Sequence, residues 1–225
     1  MGTVVLVHGA WSDGSVWAGV IEDLQRDGHV TYAVQLPATS LNDDIAWTRR
    51  QLDLLDGPVT LVGHSSGGMV ISGAALGHSR VDSLVFVAGY VPDEGESLMT
   101  LNDRGQTMPG GNAIRFVEDG WSTIDPNLFH DALAADIAPQ TAQVLAATQK
   151  PTHRACFTAP AGPGAWHDLP TSYVVSAADR ILDPALQRQL AVRANAVTTE
   201  LPAHHLSPVS HPREVADVIR GALRK

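Results

Sequence analysis

The sequence predicts an α/β fold: a mostly parallel six-stranded sheet with helices on both faces and an inserted helical cap. Three observations predict it. From Thr3 to Ala88, four apolar, β-branched runs alternate with stretches of helical periodicity, the rhythm of parallel strands joined by right-handed crossovers. The same rhythm returns at Thr171 and continues toward the C-terminus. Between them, residues 91–166 hold no strand-like run of comparable quality. They read as helical pieces separated by Pro, Gly and polar turns, and a stretch of that length is too long for a structureless loop. The expected division is a core of residues 1–90 and 167–225 with a helical cap over 91–166, all within one domain.

Each element has its own signal. Thr3-Val4-Val5-Leu6-Val7 is continuously apolar, as a strand buried on both faces must be. Val16, Trp17, Val20, Ile21 and Leu24 recur at helical spacing until Gly28. His29 to Val34 alternates like a second strand, and Leu41 to Leu55 reads as a helix. Pro58 to Val62 is the third strand, and Met69 to Leu76 the helix that follows it. Ser83 to Ala88 is the fourth strand. Asp125 to Ala135 and Pro139 to Thr148 are the helical pieces of the insertion. Thr171 to Ser176 is the fifth strand, Asp183-Pro184 starts a helix with aspartate as N-cap, Ala196 to Leu201 is the sixth strand, and Pro212 to Leu223 closes the chain.

Composition narrows the function. The 225 residues are 44% hydrophobic and 17% charged, as in an ordinary globular protein. A formal net charge of -9, with 15 Lys and Arg scattered along the chain, leaves no basic stripe to neutralise phosphates, so nucleic acid is not an expected partner. The first strand begins at Thr3, which leaves no room for a secretory signal and gives a cytoplasmic expectation. No apolar run is long enough to span a membrane. The one cysteine, Cys156, cannot form an intramolecular disulfide and reads as a packed or half-exposed bystander.

The chemistry centres on Gly63-His64-Ser65-Ser66-Gly67-Gly68, between the third strand and its helix. This G-x-S-x-G run turns a strand sharply into a helix and leaves Ser65 at the corner as a candidate nucleophile. A serine hydroxyl needs a base, and the base needs an acid to fix its tautomer. Asp179 leaves the fifth strand directly and His205 follows the sixth, so Ser65, Asp179 and His205 form a candidate triad. Asp93 and Glu94 compete for the acid, Asp183 reads as a helix cap, and His204 competes for the base. Backbone N–H groups must meet the developing oxyanion. The Ser66 amide supplies one donor and Ala10, beside Gly9, the second. His8, His204, His205 and His211 lack the spacing of a zinc motif, so no metal is expected.

His8-Gly9-Ala10-Trp11, the Gly63 to Gly68 run, Ala88-Gly89-Tyr90-Val91-Pro92 and the Asp179 and His205 loops together resemble the α/β-hydrolases. The resemblance is to the small branch of plant methylesterases, hydroxynitrile lyases and bacterial pyrethroid-hydrolase-like carboxylesterases. It implies the α/β-hydrolase fold, a Ser-His-Asp triad, no cofactor, a small-molecule ester substrate and a homodimer. The plant lyases carry threonine where this chain has Gly9 and lysine where it has Leu206, so the resemblance favours ester hydrolysis over cyanohydrin cleavage. Thioester or C–C cleavage, and an idle ligand receptor on the same fold, are the alternatives. Phe116, Trp121, Leu128, Phe129, Leu133 and Trp166 are the candidate apolar surface of the cap.

Overall fold

The computed structural model describes residues 1–223. Strands β1 (Thr3–Val7), β2 (Val30–Val34), β3 (Val59–His64) and β4 (Val81–Val87) alternate with helices α1 (Ala18–Arg26), α2 (Leu41–Asp53) and α3 (Gly67–Ala74). The chain then leaves the sheet through α4 (Leu98–Asn102), β5 (Ile114–Phe116), β6 (Trp121–Ile124), α5 (Phe129–Leu133), α6 (Pro139–Thr148), β7 (Thr152–His153) and α7 (Ala155–Thr158). It returns with β8 (Thr171–Ser176), α8 (Pro184–Arg193), β9 (Val197–Leu201), α9 (Ser207–Ser210) and α10 (Pro212–Ala222).

The main sheet has the order β2-β1-β3-β4-β8-β9, and all its pairings are parallel. Side chains alternate across it, and both faces are covered. Val5, Val7, Leu61, Leu84, Phe86 and Val175 point into the core under α2, α3 and α8. Val4, Leu6, Val62, Val85 and Val174 point into the opposite core with α1 and α10. That is why these strands read as continuous apolar runs.

The excursion between β4 and β8 is mixed rather than wholly helical. β5, β6 and β7 pair as a three-stranded antiparallel sheet, and helix covers only Phe129–Leu133 of the stretch read as Asp125 to Ala135. Asp125 instead closes a turn, its carboxylate accepting from Asn127 N. Strands of two to four residues span too few alternations to register as a period. The excursion has its own core around Ile124, Phe129, Leu133 and Ile137, which also takes in Leu206 from the loop after β9. Among the described residues no helix is long and apolar enough to cross a membrane.

Candidate active site

Ser65 stands at the carboxyl end of β3 with φ of +54°, a left-handed conformation that a non-glycine residue holds only when its surroundings enforce it. Here they do. Ser65 N donates to Val87 O at 3.1 Å, and Ser65 O accepts from Gly68 N and Tyr90 N at 3.0 and 3.1 Å. The flanking glycines are steric necessities: a Cβ on Gly63 would lie 2.6 Å from Gly67 O, and one on Gly67 would lie 2.7 Å from Val7 O. The corner therefore exposes Ser65 Oγ while its backbone stays locked.

The other residues converge on it from strand ends. His205 Nε2 lies 2.9 Å from Ser65 Oγ, and His205 Nδ1 lies 2.6 Å from Asp179 Oδ2. Asp179 Oδ2 can only accept when ionised, so Nδ1 carries the proton and Nε2 faces the serine with its lone pair. The loops that bear the two residues are tied together by Ala177 N to Leu201 O and Ala178 N to Ala203 O. Asp179 is 2% exposed, and its Oδ1 accepts from Ile181 N and Leu182 N at 2.8 and 3.0 Å.

Asp93, Asp183 and His211 are engaged elsewhere, and among the described residues neither Glu94 nor the His204 ring bonds Ser65, Asp179 or His205. Asp93 pairs with His167 at 2.7 Å on the surface, and Asp183 caps α8 by accepting from Ala185 N. His204 N donates to Asp136, and the His211 ring bonds Ser210 Oγ. His8 donates from Nδ1 to Gly9 O and accepts at Nε2 from Leu36 N, which makes it a neutral brace for its loop. Burial pushes it down to about 4. Cys156 is buried beside Asp44, and burial pushes its thiol up. The same burial raises Asp44 to about 6.

Three contacts around the site were not visible in the sequence. Ala10 N donates to Ser66 Oγ at 2.8 Å, so this amide has an internal partner. His64 Nε2 donates to His205 O at 2.8 Å, beneath the imidazole. Gln187 Nε2 donates to Asp179 Oδ2 at 2.9 Å. The available signal for Gln187 was an amide on the apolar face of its helix, between Leu186 and Leu190.

Ser65 and His205 open into a cavity of about 390 Å³ lined by apolar groups such as Trp11, Leu98, Phe116, Phe157 and Ile181, with Asn102, Asp103, Gln106 and Thr107 as its polar part. Among the described residues His205 is the one basic side chain in its lining. Of the six cap residues read as substrate surface, Phe116 alone lines the cavity. Phe129 and Leu133 fill the excursion's core, and Trp166 is buried with Nε1 donating to Pro92 O at 2.7 Å. Tyr90 also lines the cavity, its hydroxyl donating to Asn102 Oδ1 at 2.9 Å.

A parallel sheet with a serine at a strained strand–helix corner, and an acid and a histidine at the ends of later strands, defines the α/β-hydrolase class. Residues 4–218 match the alpha/beta hydrolase family, and the chain belongs to it. A carbendazim hydrolyzing esterase of a Nocardioides species is 34% identical over 114 residues, 45% of this chain and 47% of that protein. The alignment thus spans about half the length of that relative. A probable hydrolase of a Phoma species is 26% identical over 96% of both chains. The crystal structure of a pyrethroid hydrolase from Sphingobium faniae superposes with a TM-score of 0.84 at 22% identity, covering 98% of this chain and 96% of that one.

Proposed function

We propose that this protein is a serine hydrolase that cleaves a small, neutral carboxylic ester through an acyl-enzyme on Ser65. The observation that carries the reading is the hydrogen-bonded line from Ser65 Oγ through His205 to Asp179, opening into an apolar cavity. In this reading His205 Nε2 takes the Ser65 proton as Oγ attacks the ester carbonyl. The tetrahedral oxyanion is met by the amides of Ser66 and Ala10, and its collapse expels the alcohol, which leaves with the proton from His205. A water deprotonated by His205 then attacks the acyl carbon, the acid departs, and Ser65 regains its proton. Base assistance of this kind contributes about 10² to 10⁴ in rate. Residues 91–166 serve as the cap that shapes the acyl and alcohol pockets. The esterase name of the Nocardioides relative supports the ester as substrate class.

Gly9 supports hydrolysis over cyanohydrin cleavage. A Cβ there would lie 2.7 Å from Ser65 Cβ and 3.1 Å from His64 O, so the threonine that marks the lyases would collide with the nucleophile. The test is hydrolysis of short-chain p-nitrophenyl esters by the wild type and by Ser65→Ala, with mandelonitrile cleavage assayed beside it. Ester turnover that vanishes in the variant is expected. Equal activity in both proteins, or cleavage of mandelonitrile alone, would overturn the reading.

A further inference from the structure

Gln187 is a polar side chain with 0% exposure, and its hydrogen-bonding capacity is spent around Asp179. It lies on the core face of α8 with Leu186, Leu190 and Ala191. An amide in such a place costs stability unless it is partnered. Its Nε2 donates to Asp179 Oδ2 at 2.9 Å and to Leu182 O at 3.0 Å, and its Oε1 accepts from Ser176 N at 2.9 Å. Leu182 O can only accept and Ser176 N can only donate, so the amide cannot be flipped. One side chain thereby ties the end of β8, the acid and the turn after the acid into a single unit.

The oxygen it holds is the one that matters. Asp179 Oδ2 also accepts from His205 Nδ1, while two backbone amides hold Oδ1. With Gln187 gone, His205 would be the remaining side-chain donor to Oδ2, and only the two backbone amides on Oδ1 would hold the carboxylate independently of the imidazole. The Gln187 N–H also draws on the charge that His205 experiences. We infer that Gln187 is a positioning residue for the triad, fixing Asp179 Oδ2 so that His205 Nε2 meets Ser65 Oγ. The inference rests on the serine-hydrolase reading.

The groups facing this carboxylate come from several elements. His205 approaches from the loop after β9, and the phenols of Tyr90 and Tyr173 lie near enough to feel the Asp179 charge. His64 faces His205 from β3, Arg180 is turned outward onto Asp131, and Asp183 is occupied at the start of α8. None of these supplies the bond that Gln187 makes.

The test uses two variants of the whole chain, Gln187→Met and Gln187→Glu. Methionine removes the donor and leaves Ser176 N without its acceptor. Glutamate keeps that acceptor and, while protonated, one O–H donor for Asp179 Oδ2 in place of the two N–H donors, so it separates loss of this bond from loss of the Ser176 contact. For Gln187→Met the expected result is a fall in kcat of about 10- to 100-fold, the cost of a small misplacement, with KM little changed. For Gln187→Glu the expected result is activity at least tenfold above Gln187→Met at low pH. That activity then declines on the alkaline side, a limb absent from the wild type, as the proton shared with Asp179 is lost. The low-field proton resonance of the His205–Asp179 hydrogen bond should move in both variants, a readout that needs no turnover. A folded Gln187→Met with wild-type kcat and resonance would overturn the inference, as would a Gln187→Glu pH profile superimposed on the wild type. Loss of ester turnover in the wild type with the resonance still sensitive to Gln187 would instead count against the esterase reading alone.

Discussion

His64 donates from Nε2 to the main-chain carbonyl of His205 at 2.8 Å, with the two rings 4.8 Å apart. The residue before Ser65 thus pins the backbone of His205. A carbonyl can only accept, so Nε2 carries the proton and Nδ1 is the unprotonated nitrogen, buried without a partner among the described residues. His64→Phe would leave the His205 carbonyl unpaired, at a cost of about 1 to 3 kcal/mol, and free the loop to shift. The expected result is a kcat reduced about 10- to 100-fold with KM little changed. His64→Gln, which keeps an N–H donor, should recover part of the loss. Steady-state kinetics on one ester checks this, and wild-type kcat in His64→Phe would show that the pin is dispensable.

The buried histidines also set how stability depends on pH. Burial lowers His64 to about 3 and His8 to about 4 from 6.5, so between those values and 6.5 the unfolded chain binds protons that the folded chain refuses. Stability therefore rises with pH through that window and levels off above 6.5, at up to about 1.4 kcal/mol per pH unit for each histidine. Asp44 acts in the opposite sense. Burial raises it from 3.8 to about 6, so its contribution is present at low pH and is lost as pH rises through 6. Two histidines outweigh one carboxyl, and the net slope between about pH 4 and 6 is positive. Urea denaturation at a series of pH values should show stability climbing to a plateau near neutrality, with a shallower climb in His64→Gln. A stability maximum near pH 5 would contradict it.

The parts of this molecule that were legible in the sequence are those where one residue type answers one physical demand. Continuous apolar runs such as Thr3 to Val7 announce strands covered on both faces, and the glycines around Ser65 announce backbone approaches that a Cβ would block. Asp179 and His205 could be placed near Ser65 from the sequence because parallel topology brings strand ends together, whatever the distance along the chain. Bonds between a side chain and a distant backbone atom leave no such trace. His64 reaches a carbonyl 141 residues away, and nothing local marks the residue before the serine as its donor. The small sheet of the excursion escaped for a different reason: β7 is two residues long and acquires strand geometry only from its pairing with β6.

Asp179 can be tested against its competitor directly. Its four donors are His205 Nδ1, Gln187 Nε2, Ile181 N and Leu182 N, and asparagine can present one oxygen to them. If that oxygen stays with the two backbone amides, the new NH₂ faces His205 and forces the imidazole into the tautomer whose Nε2 bears hydrogen. That nitrogen cannot take the Ser65 proton. Asp179→Asn should therefore lower kcat by about 10⁴-fold, the size of a wrong-tautomer effect. Asp93→Asn, which breaks a surface pair with His167, should leave kcat unchanged. The reverse pattern in the two rate constants would move the acid to Asp93.

Ser66 poses a competition that the resting structure makes visible. Its hydroxyl accepts the Ala10 N–H at 2.8 Å, the same donor that the proposed mechanism offers to the oxyanion. A substrate carbonyl must displace Ser66 Oγ to reach that amide, trading a neutral hydrogen bond for one that strengthens as charge develops in the transition state. The bond given up has a net value of about 0.5 to 1.5 kcal/mol. Ser66→Ala removes the competitor and leaves the backbone donor at position 66 in place. The expected outcome is a kcat/KM raised about 2- to 10-fold for every substrate alike, because the bond removed belongs to the free protein. A kcat lowered tenfold or more would reverse the conclusion, because the hydroxyl would then be stabilising the oxyanion as a donor instead of occupying its place. Kinetics of Ser66→Ala on a graded series of acyl chain lengths separates the two by the sign of the change: relieved competition raises kcat/KM across the series, whereas a lost donor lowers it.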